Sequence, residues 1–573
     1  MTNNITLMIG GTQGEGIVST GNILIKTLSR LGYFTYGFRN FSSRIKGGHT
    51  NYIIEINTKE VLAYGDSLDI LIAFDMESIE VNIDRLKEGG LVIYDSIINP
   101  ENYFVRRDLG FLSFPFTDIA KKYGSCIMKN TSLLGLLGRL LNIHSQNIKD
   151  TVEETYKKKG QDILSKNFTV LDKTYEEPIE NEEIKTRYNL NTSISEKRAS
   201  MIGNEAIAFG ALMAGCRFMA AYPITPASEI MEYLSEKLPD YGGIVLQTED
   251  EIAAITMSLG SSYAGSRAMT ASSGPGISLM MEGIGLAGMA EIPIVIVDVQ
   301  RVGPSTGLPT KHEQSDIEFL YHGAHGEIPL IIVTPYSVEE CFYQSIQAFN
   351  LAEKYQCPVI ILSDLALGLS RQTIKSLDKN KITIDRGKIA SGENLEETKL
   401  DFRRFDFTSD NISQRTLPGF LEGIHKVTGL EHSIIGTPNN YPDNRKKMMD
   451  KRLNKIRKLE SQNNIDIFGT TNSSLLVLSI GSNYGIIKKV VEDYNLPVAY
   501  GAFKMIKPLP VKQLKELTEK YSKILIVENN ARGQLASIIK QKLPCHDKFH
   551  NLLKYDGTPF KLAEIKSKIE EMI

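Results

Sequence analysis

Short apolar runs recur along this chain, each closed by glycine, proline or a polar turn and followed by a stretch with helical spacing. "NITLMIGG" reads as a strand, the glycine turn behind it leads into the amphipathic "IVSTGNILIKTL", and "YFTYGF" reads as a second strand, which predicts a β-α-β opening. "LDILIAFD" and "GGLVIYDS" extend it into a first, Rossmann-like α/β domain over residues 1–185. The polar, charged stretch 186–200 is a predicted linker. Over 201–384 the runs "RFMAAY", "GIVLQ", "SRAMTAS", "IPIVIVDVQ", "LIIVTP" and "CPVIILSD" alternate with small-residue helices, the pattern of a parallel sheet covered on both faces. Residues 385–470 are polar and irregular, and 471–573 return to the alternation with "SLLVLSIGSNYG", "PVAYGAF" and "KILIVENNARGQLASII". The predicted class is α/β, with three α/β domains.

Composition narrows this picture mainly by exclusion. Lys and Arg total 65 against 68 Asp and Glu, so no whole-chain field recruits nucleic acid or an acidic membrane. The basic stretch "DNRKKMMDKRLNKIRKLE" lacks interleaved aromatics and reads as a solvated helix face. No basic leader precedes the first strand, and no apolar stretch is long enough to span a bilayer, so the expected location is the cytoplasm. The cysteines Cys126, Cys216, Cys341, Cys357 and Cys545 are scattered without metal-binding spacing, and Cys216, in a small-residue segment, reads as a buried thiol.

Candidate chemistry sits in loops after strands. The turn holding Gly11, Gly14 and Gly16 has Ser19 where a dinucleotide fingerprint wants its third glycine, and the second strand carries no acid for a ribose. Arg39, Arg44, Lys46, Gly47 and Gly48 follow instead, which suits phosphate groups at a helix N-terminus; an NAD-dependent oxidoreductase is the alternative. In "AAYPITPASEI", Thr225 and Pro226 fit an N-cap and a first helical residue. In "QRVGPSTGLPTKHEQSDI", Arg301 can grip a carboxylate on two nitrogens, beside the hydroxyls of Ser305, Thr306 and Thr310. "QTEDEIAAITMSLG" has Thr248 and Glu251 at capping-box spacing. Glu249 and Glu251 both fall at the margin of the stripe Ile252, Ile255 and Leu259, so periodicity does not choose between them.

Taken in order, "YPITPASE", "QTEDEIAA", "TASSGPG" and "QRVGPSTGLPTKHEQSD" resemble the α subunit of the 2-oxoacid:ferredoxin oxidoreductases. "GGTQGEG" and "RIKGGHTNY" resemble the family's γ domain, fused at the N-terminus, and "IGSNYG" and "VENNARGQLA" its C-terminal domain. The resemblance implies a γ domain, a thiamin-diphosphate pyrimidine-type domain and a transketolase C-terminal-like domain. It implies oxidative decarboxylation of a 2-oxoacid, 2-oxoglutarate first among the candidates, with coenzyme A and ferredoxin. Glu251 would be the catalytic carboxyl on the aminopyrimidine, with Tyr222, Pro223 and Gly274 beside the cofactor. Thr225, Arg301 and Thr310 would hold the substrate, with Lys311 and His312 as candidates for a second carboxylate. Gly11, Gly14, Gly16, Arg44, Lys46 and Gly47 would serve coenzyme A. The family's Gly-Asp-Gly motif and cluster cysteines are missing from the sequence, which implies a β subunit carrying Mg2+, the diphosphate site and a [4Fe-4S] cluster, in an αβ or (αβ)2 complex. A non-catalytic assembly subunit is the remaining alternative.

Overall fold

The computed structural model describes residues 4–41, 48–103, 105–190, 196–390 and 402–573. They fall into two units: the chain up to Ile202 with Leu369–Leu377 and Lys561–Ala563, and Gly203–Gly368 with Asp378–Phe560 and Glu564–Ile573.

In the first unit an eight-stranded sheet runs in the order Gly110–Phe114, Leu86–Asp95, Leu68–Ala73, Asn4–Thr12, His49–Asn57, Phe34–Asn40, Arg371–Ile374, Ala199–Ile202. The expected opening is modified here. Strand His49–Asn57 lies antiparallel between the first strand and Phe34–Asn40, so these two are not neighbours. Its centre, "TNYIIEI", is buried at every position, which demands a partner on each edge and cover on each face. The two far strands come from distant sequence, and Thr373 ties them in by accepting the Thr35 N–H at 2.9 Å. Helix Ile17–Arg30 covers one face through Ile17, Leu24 and Leu28, each almost fully buried in the main cluster.

The second unit holds two sheets. The first runs in the order Met505–Lys507, Ile331–Val333, Pro358–Asp364, Ile294–Gln300, Arg267–Ser272, Cys216–Ala221, Ile244–Gln247. The six apolar runs read from the sequence supply its parallel strands, and Met505–Lys507 joins antiparallel. The other sheet has the order Ile465–Gly469, Ala499–Phe503, Leu475–Ser479, Lys523–Glu528, Phe549–Leu553. One hydrophobic cluster runs through both, joining Ile255, Ile284 and Ile296 to Leu476 and Ile526. Among the described residues no helix is long and apolar enough to cross a membrane.

The basic stretch departs in part from its expected solvated face. In and just after helix Pro442–Asn454, Lys451 and Lys455 have fully buried side chains and grip Glu291 at 2.5 and 3.1 Å, while Arg452 pairs with Glu431. The buried Glu291 carboxylate follows helix Gly274–Met289 and needs counter-charges, so these cations are spent inside the protein, while Arg445, Lys446, Lys447, Arg457 and Lys458 keep the expected solvated face.

Candidate functional site

The parallel strands of the second unit release their loops at one end of the sheet, where open α/β sheets place ligands. After strand Cys216–Ala221 the chain makes the Tyr222–Pro226 turn, then helix Ser228–Lys237. Thr225 is not the N-cap. That position is Ala227, without a side-chain cap, because the N–H groups of Ala227 and Ser228 both turn back to Ile224 O, at 2.7 and 3.1 Å. The carbonyls of the turn are held instead: Arg301 Nη1 donates to Thr225 O, and Asn204 Nδ2 donates to Pro226 O at 2.7 Å. Thr225 is left exposed at the surface with Tyr222.

Strand Ile244–Gln247 leads to helix Glu251–Tyr263. The N-cap is Asp250, whose carboxylate accepts the Ala253 N–H at 2.7 Å; Thr248 donates its hydroxyl to Asp250 O at 2.8 Å, so the expected capping box is displaced. The buried stripe of this helix is Glu251, Ala254, Ile255, Ser258, Leu259 and Ser262, while Ile252 is 51% exposed. The apolar-stripe reading misjudged Ile252, and with it the helix phase. Glu251 is 6% exposed and Glu249 lies at the surface. A carboxylate therefore stands on the inward face of a helix, and among the described residues no hydrogen bond is made to it.

The space for it is made by glycine. Strand Arg267–Ser272 ends at Ser273, and helix Gly274–Met289 starts with Gly-Pro-Gly. A Cβ on Gly276 would overlap Ser272 Oγ and Glu251 Oε1, and one on Gly274 would lie 2.7 Å from both carboxyl oxygens of Asp316. Two carboxyl groups thus flank the first turn of a 16-residue helix, whose free N–H groups favour negative charge. The hydroxyls of Thr270, Ser272 and Ser273 are buried there without partners among the described residues.

Strand Ile294–Gln300 leads directly into Arg301. This arginine is 7% exposed; Nη1 is taken by Thr225 O and Nε is buried without a partner among the described residues. Burial lowers its pKa, opposed by the Asp316 carboxylate. The sequence signals missed two acids beneath it. Asp298 is fully buried, and its pKa is raised well above the carboxylate range by burial and then by Asp316. Asp316 is pushed up to about 7 by burial, then by Glu313, against the lowering effects of Asp298 and Arg301. A lone acid within the apolar "IPIVIVDVQ" was the available clue to Asp298.

The far end of the loop is anchored by Gln314, which is fully buried. Its Nε2 donates to Asp364 Oδ2 (2.8 Å) and Ile480 O (3.2 Å); its Oε1 accepts from Asn483 Nδ2 (3.0 Å). Its N–H donates to Asn529 O at 2.7 Å and its carbonyl accepts from Asn530 Nδ2 at 3.0 Å. The "IGSNYG" and "VENNARGQLA" segments are therefore the footing of the arginine loop. Thr310 and Lys311 are half-buried on it; His312 is turned inward, 2% exposed, with Nδ1 3.7 Å from Asp364. Burial lowers the pKa of both Lys311 and His312. Cys216 is buried at the start of its strand, its thiol pushed up to about 12 by that burial.

In the first unit, Gly16 is the N-cap of helix Ile17–Arg30 with φ 86°, and Gly14 has φ 98°. Gly11 lies at the end of strand Asn4–Thr12. Glu15 between the glycines pairs with Lys129 at 3.2 Å. Arg44, Lys46 and Gly47 lie outside the described residues.

This architecture is that of an α/β protein whose second unit gathers its loops at one end of a parallel sheet. Residues 209–450 match the family described as pyruvate flavodoxin/ferredoxin oxidoreductase, thiamine diP-bdg, and residues 6–177 match pyruvate ferredoxin/flavodoxin oxidoreductase. The 2-oxoacid:ferredoxin oxidoreductase subunit alpha of a Sulfolobus species is 32% identical, over 99% of this chain and 97% of its own. The 2-oxoglutarate synthase subunit KorA of Methanocaldococcus jannaschii is 39% identical over 58% of this chain and 89% of its own. The structure of 2-oxoglutarate:ferredoxin oxidoreductase from Magnetococcus marinus, with 2-oxoglutarate, coenzyme A and succinyl-CoA bound, superposes with a TM-score of 0.90 at 34% identity, covering 100% of both chains. The chain belongs to the 2-oxoacid:ferredoxin oxidoreductase family, as an α subunit.

Proposed function

We propose that this subunit provides the aminopyrimidine-facing half of a thiamin-diphosphate site in an enzyme that oxidatively decarboxylates 2-oxoglutarate to its acyl-CoA and reduces ferredoxin. The observation that carries the reading is the Glu251 carboxylate, buried on the inward face of its helix with no hydrogen-bond donor among the described residues. Such a group suits the protonated ring nitrogen of an aminopyrimidine, a donor it would otherwise lack. Thiamin diphosphate, when bound, supplies the electron sink for decarboxylation. Glu251 would hold the proton at N1′ and so favour the tautomer that activates the cofactor. Tyr222, Pro223 and Gly274 would wall the ring.

Arg301 would take the substrate's C1 carboxylate, using the nitrogen left without a partner, with the Thr225 and Thr310 hydroxyls toward the keto group. Lys311 is the better candidate for the second carboxylate of 2-oxoglutarate, because His312 is shut away beside Asp364. The glycine turn at Gly11, Gly14 and Gly16, together with Arg44, Lys46 and Gly47, would serve coenzyme A, a ligand of the Magnetococcus protein. On this reading residues 1–185 are the γ domain, 201–384 the pyrimidine-type domain and 471–573 the transketolase C-terminal-like domain. Mg2+, the diphosphate site and the [4Fe-4S] cluster are assigned to a β subunit. Support for a covering partner comes from the edge strand Ile244–Gln247 and the outer face of helix Glu251–Tyr263, which expose Ile244, Leu246, Ile252 and Met257.

The test is Glu251→Gln in the complex purified with its β subunit. Reduction of a one-electron acceptor by 2-oxoglutarate and coenzyme A is expected to fall by about 10²–10⁴-fold while the complex still assembles. Undiminished turnover would favour a subunit that serves assembly alone.

A further inference from the structure

The first unit carries a carboxylate where a phosphate group is expected. Strands Asn4–Thr12 and Leu68–Ala73 lie side by side and parallel, yet the chain leaves them in opposite directions along the sheet. Helix Ile17–Arg30 leads to Phe34–Asn40 on one side, and helix Met76–Asn82 leads to Leu86–Asp95 on the other. A crevice opens at such a switch point, at the carboxyl ends of the two strands, where the glycine turn and Phe74 lie. The side chain of Glu15 folds back over this strand end: its Oε2 is 3.4 Å from where a Cβ on Gly11 would stand, as is Phe74 Cβ. Its Oε1 is held by Lys129 at 3.2 Å, and the same ammonium sits over the Phe74 ring, 4.7 Å from the centre. The carboxylate does not cap the helix that follows, whose N-cap Gly16 makes no side-chain cap bond and whose first turn holds no acid.

The cation comes from the start of helix Lys129–Leu140, and the next residue fixes the turn from beneath. Asn130 is 9% exposed; its Nδ2 donates to Glu15 O at 2.5 Å, while its Oδ1 is buried without a partner among the described residues. The second acid of the crevice, Asp75, is engaged: its carboxylate accepts the Ser78 N–H at 2.9 Å, the Ser78 hydroxyl at 2.6 Å and the Thr12 hydroxyl at 3.2 Å. Glu15 differs, because its side chain is 36% exposed while that of Lys129 is 12% exposed. We propose that Lys129 is a binding residue for the phosphate groups of coenzyme A, and that the Glu15 carboxylate is an internal stand-in that holds the ammonium until the ligand arrives. The proposal rests on the reading of the glycine turn as the coenzyme A site. On arrival a phosphate oxygen takes the ammonium and Glu15 swings out to water, so the sheltered cation stays paired throughout and the exposed acid gives up little. Until then the ligand competes with Glu15, and its apparent affinity is lowered by the fraction of time that Lys129 is free.

The experiment is a calorimetric titration of coenzyme A into the assembled enzyme without 2-oxoglutarate, with KM for both substrates measured alongside. Glu15→Gln removes the competing charge and should tighten coenzyme A binding by about threefold or more. A carboxylate that merely braces the turn would leave the affinity unchanged or weaken it when removed, and either result overturns the proposal. Lys129→Gln should weaken binding by about tenfold, with KM for 2-oxoglutarate moving less than about twofold. Undiminished affinity in that variant, or an equal rise in both KM values, overturns the assignment as well. Gly14→Ala tests the underlying reading, since it strains the turn at φ 98° and leaves the ion pair in place. If it does not weaken coenzyme A binding, the coenzyme A reading of the turn is what fails. If it does, while the Glu15 and Lys129 variants bind as the natural enzyme does, only the stand-in fails.

Discussion

Two helices of this chain begin in glycine-rich turns directly after a strand, and glycine is there for different reasons. At the start of Ile17–Arg30 the need is conformational: Gly16 has φ 86° and Gly14 φ 98°, in the left-handed region where a side chain is strained. At the start of Gly274–Met289 neither Gly274 nor Gly276 has a positive φ; the need is for empty space, which the carboxyl groups of Asp316 and Glu251 fill. A glycine turn by itself thus specifies no ligand. The groups brought against it do, and in the second case these are two acids at the positive end of a helix.

The strongest break in this comparison is Gly276→Ala. Its methyl must push aside Ser272 Oγ or Glu251 Oε1, and misplacing the carboxylate by about 1 Å should cost about 10²-fold in turnover of the assembled enzyme. Gly16→Ala should lower stability by about 1–2 kcal/mol in chemical denaturation. Because a Cβ there also lies 2.6 Å from Asn130 Nδ2, the double variant with Asn130→Ala separates space from backbone: the loss should remain largely in place if φ is its cause. The smallest effect concerns charge. Asp316 has an ordinary value of 3.8 and is held at about 7 in the fold, so between those pH values the folded chain keeps a proton the unfolded chain releases. The contribution of Asp316 to stability therefore declines as pH rises from about 4 to about 7. Asp316→Asn should flatten that slope in unfolding curves relative to the natural chain.

Much of the fold was legible because parallel strands buried on both faces are continuous apolar runs, and the six in residues 201–384 all became strands. Less legible was pairing that depends on distant residues, such as strand Arg371–Ile374 joining Phe34–Asn40 and Ala199–Ile202 in one sheet. Local capping rules misplaced two helix starts, each by two residues. At Thr225 the turn carbonyls were claimed by Arg301 and Asn204, and at Thr248 the better-placed Asp250 took the cap. Glu251 and Glu249 could not be separated by periodicity, because the exposed Ile252 imitated a core residue. Asp298 and Asp316 stand 18 positions apart, and nothing in either neighbourhood announces that the loop returns one to the strand of the other.

The engagement of Gln314 bears on any attempt to re-engineer substrate choice. Every polar atom of that residue, backbone included, is bound within a layer built from the last hundred residues of the chain and from Asp364. A transplanted arginine loop would arrive in a foreign scaffold with its root cut off. Exchanging specificity between relatives therefore calls for moving Asn483, Asn529 and Asn530 together with residues 301–316, as one inherited module.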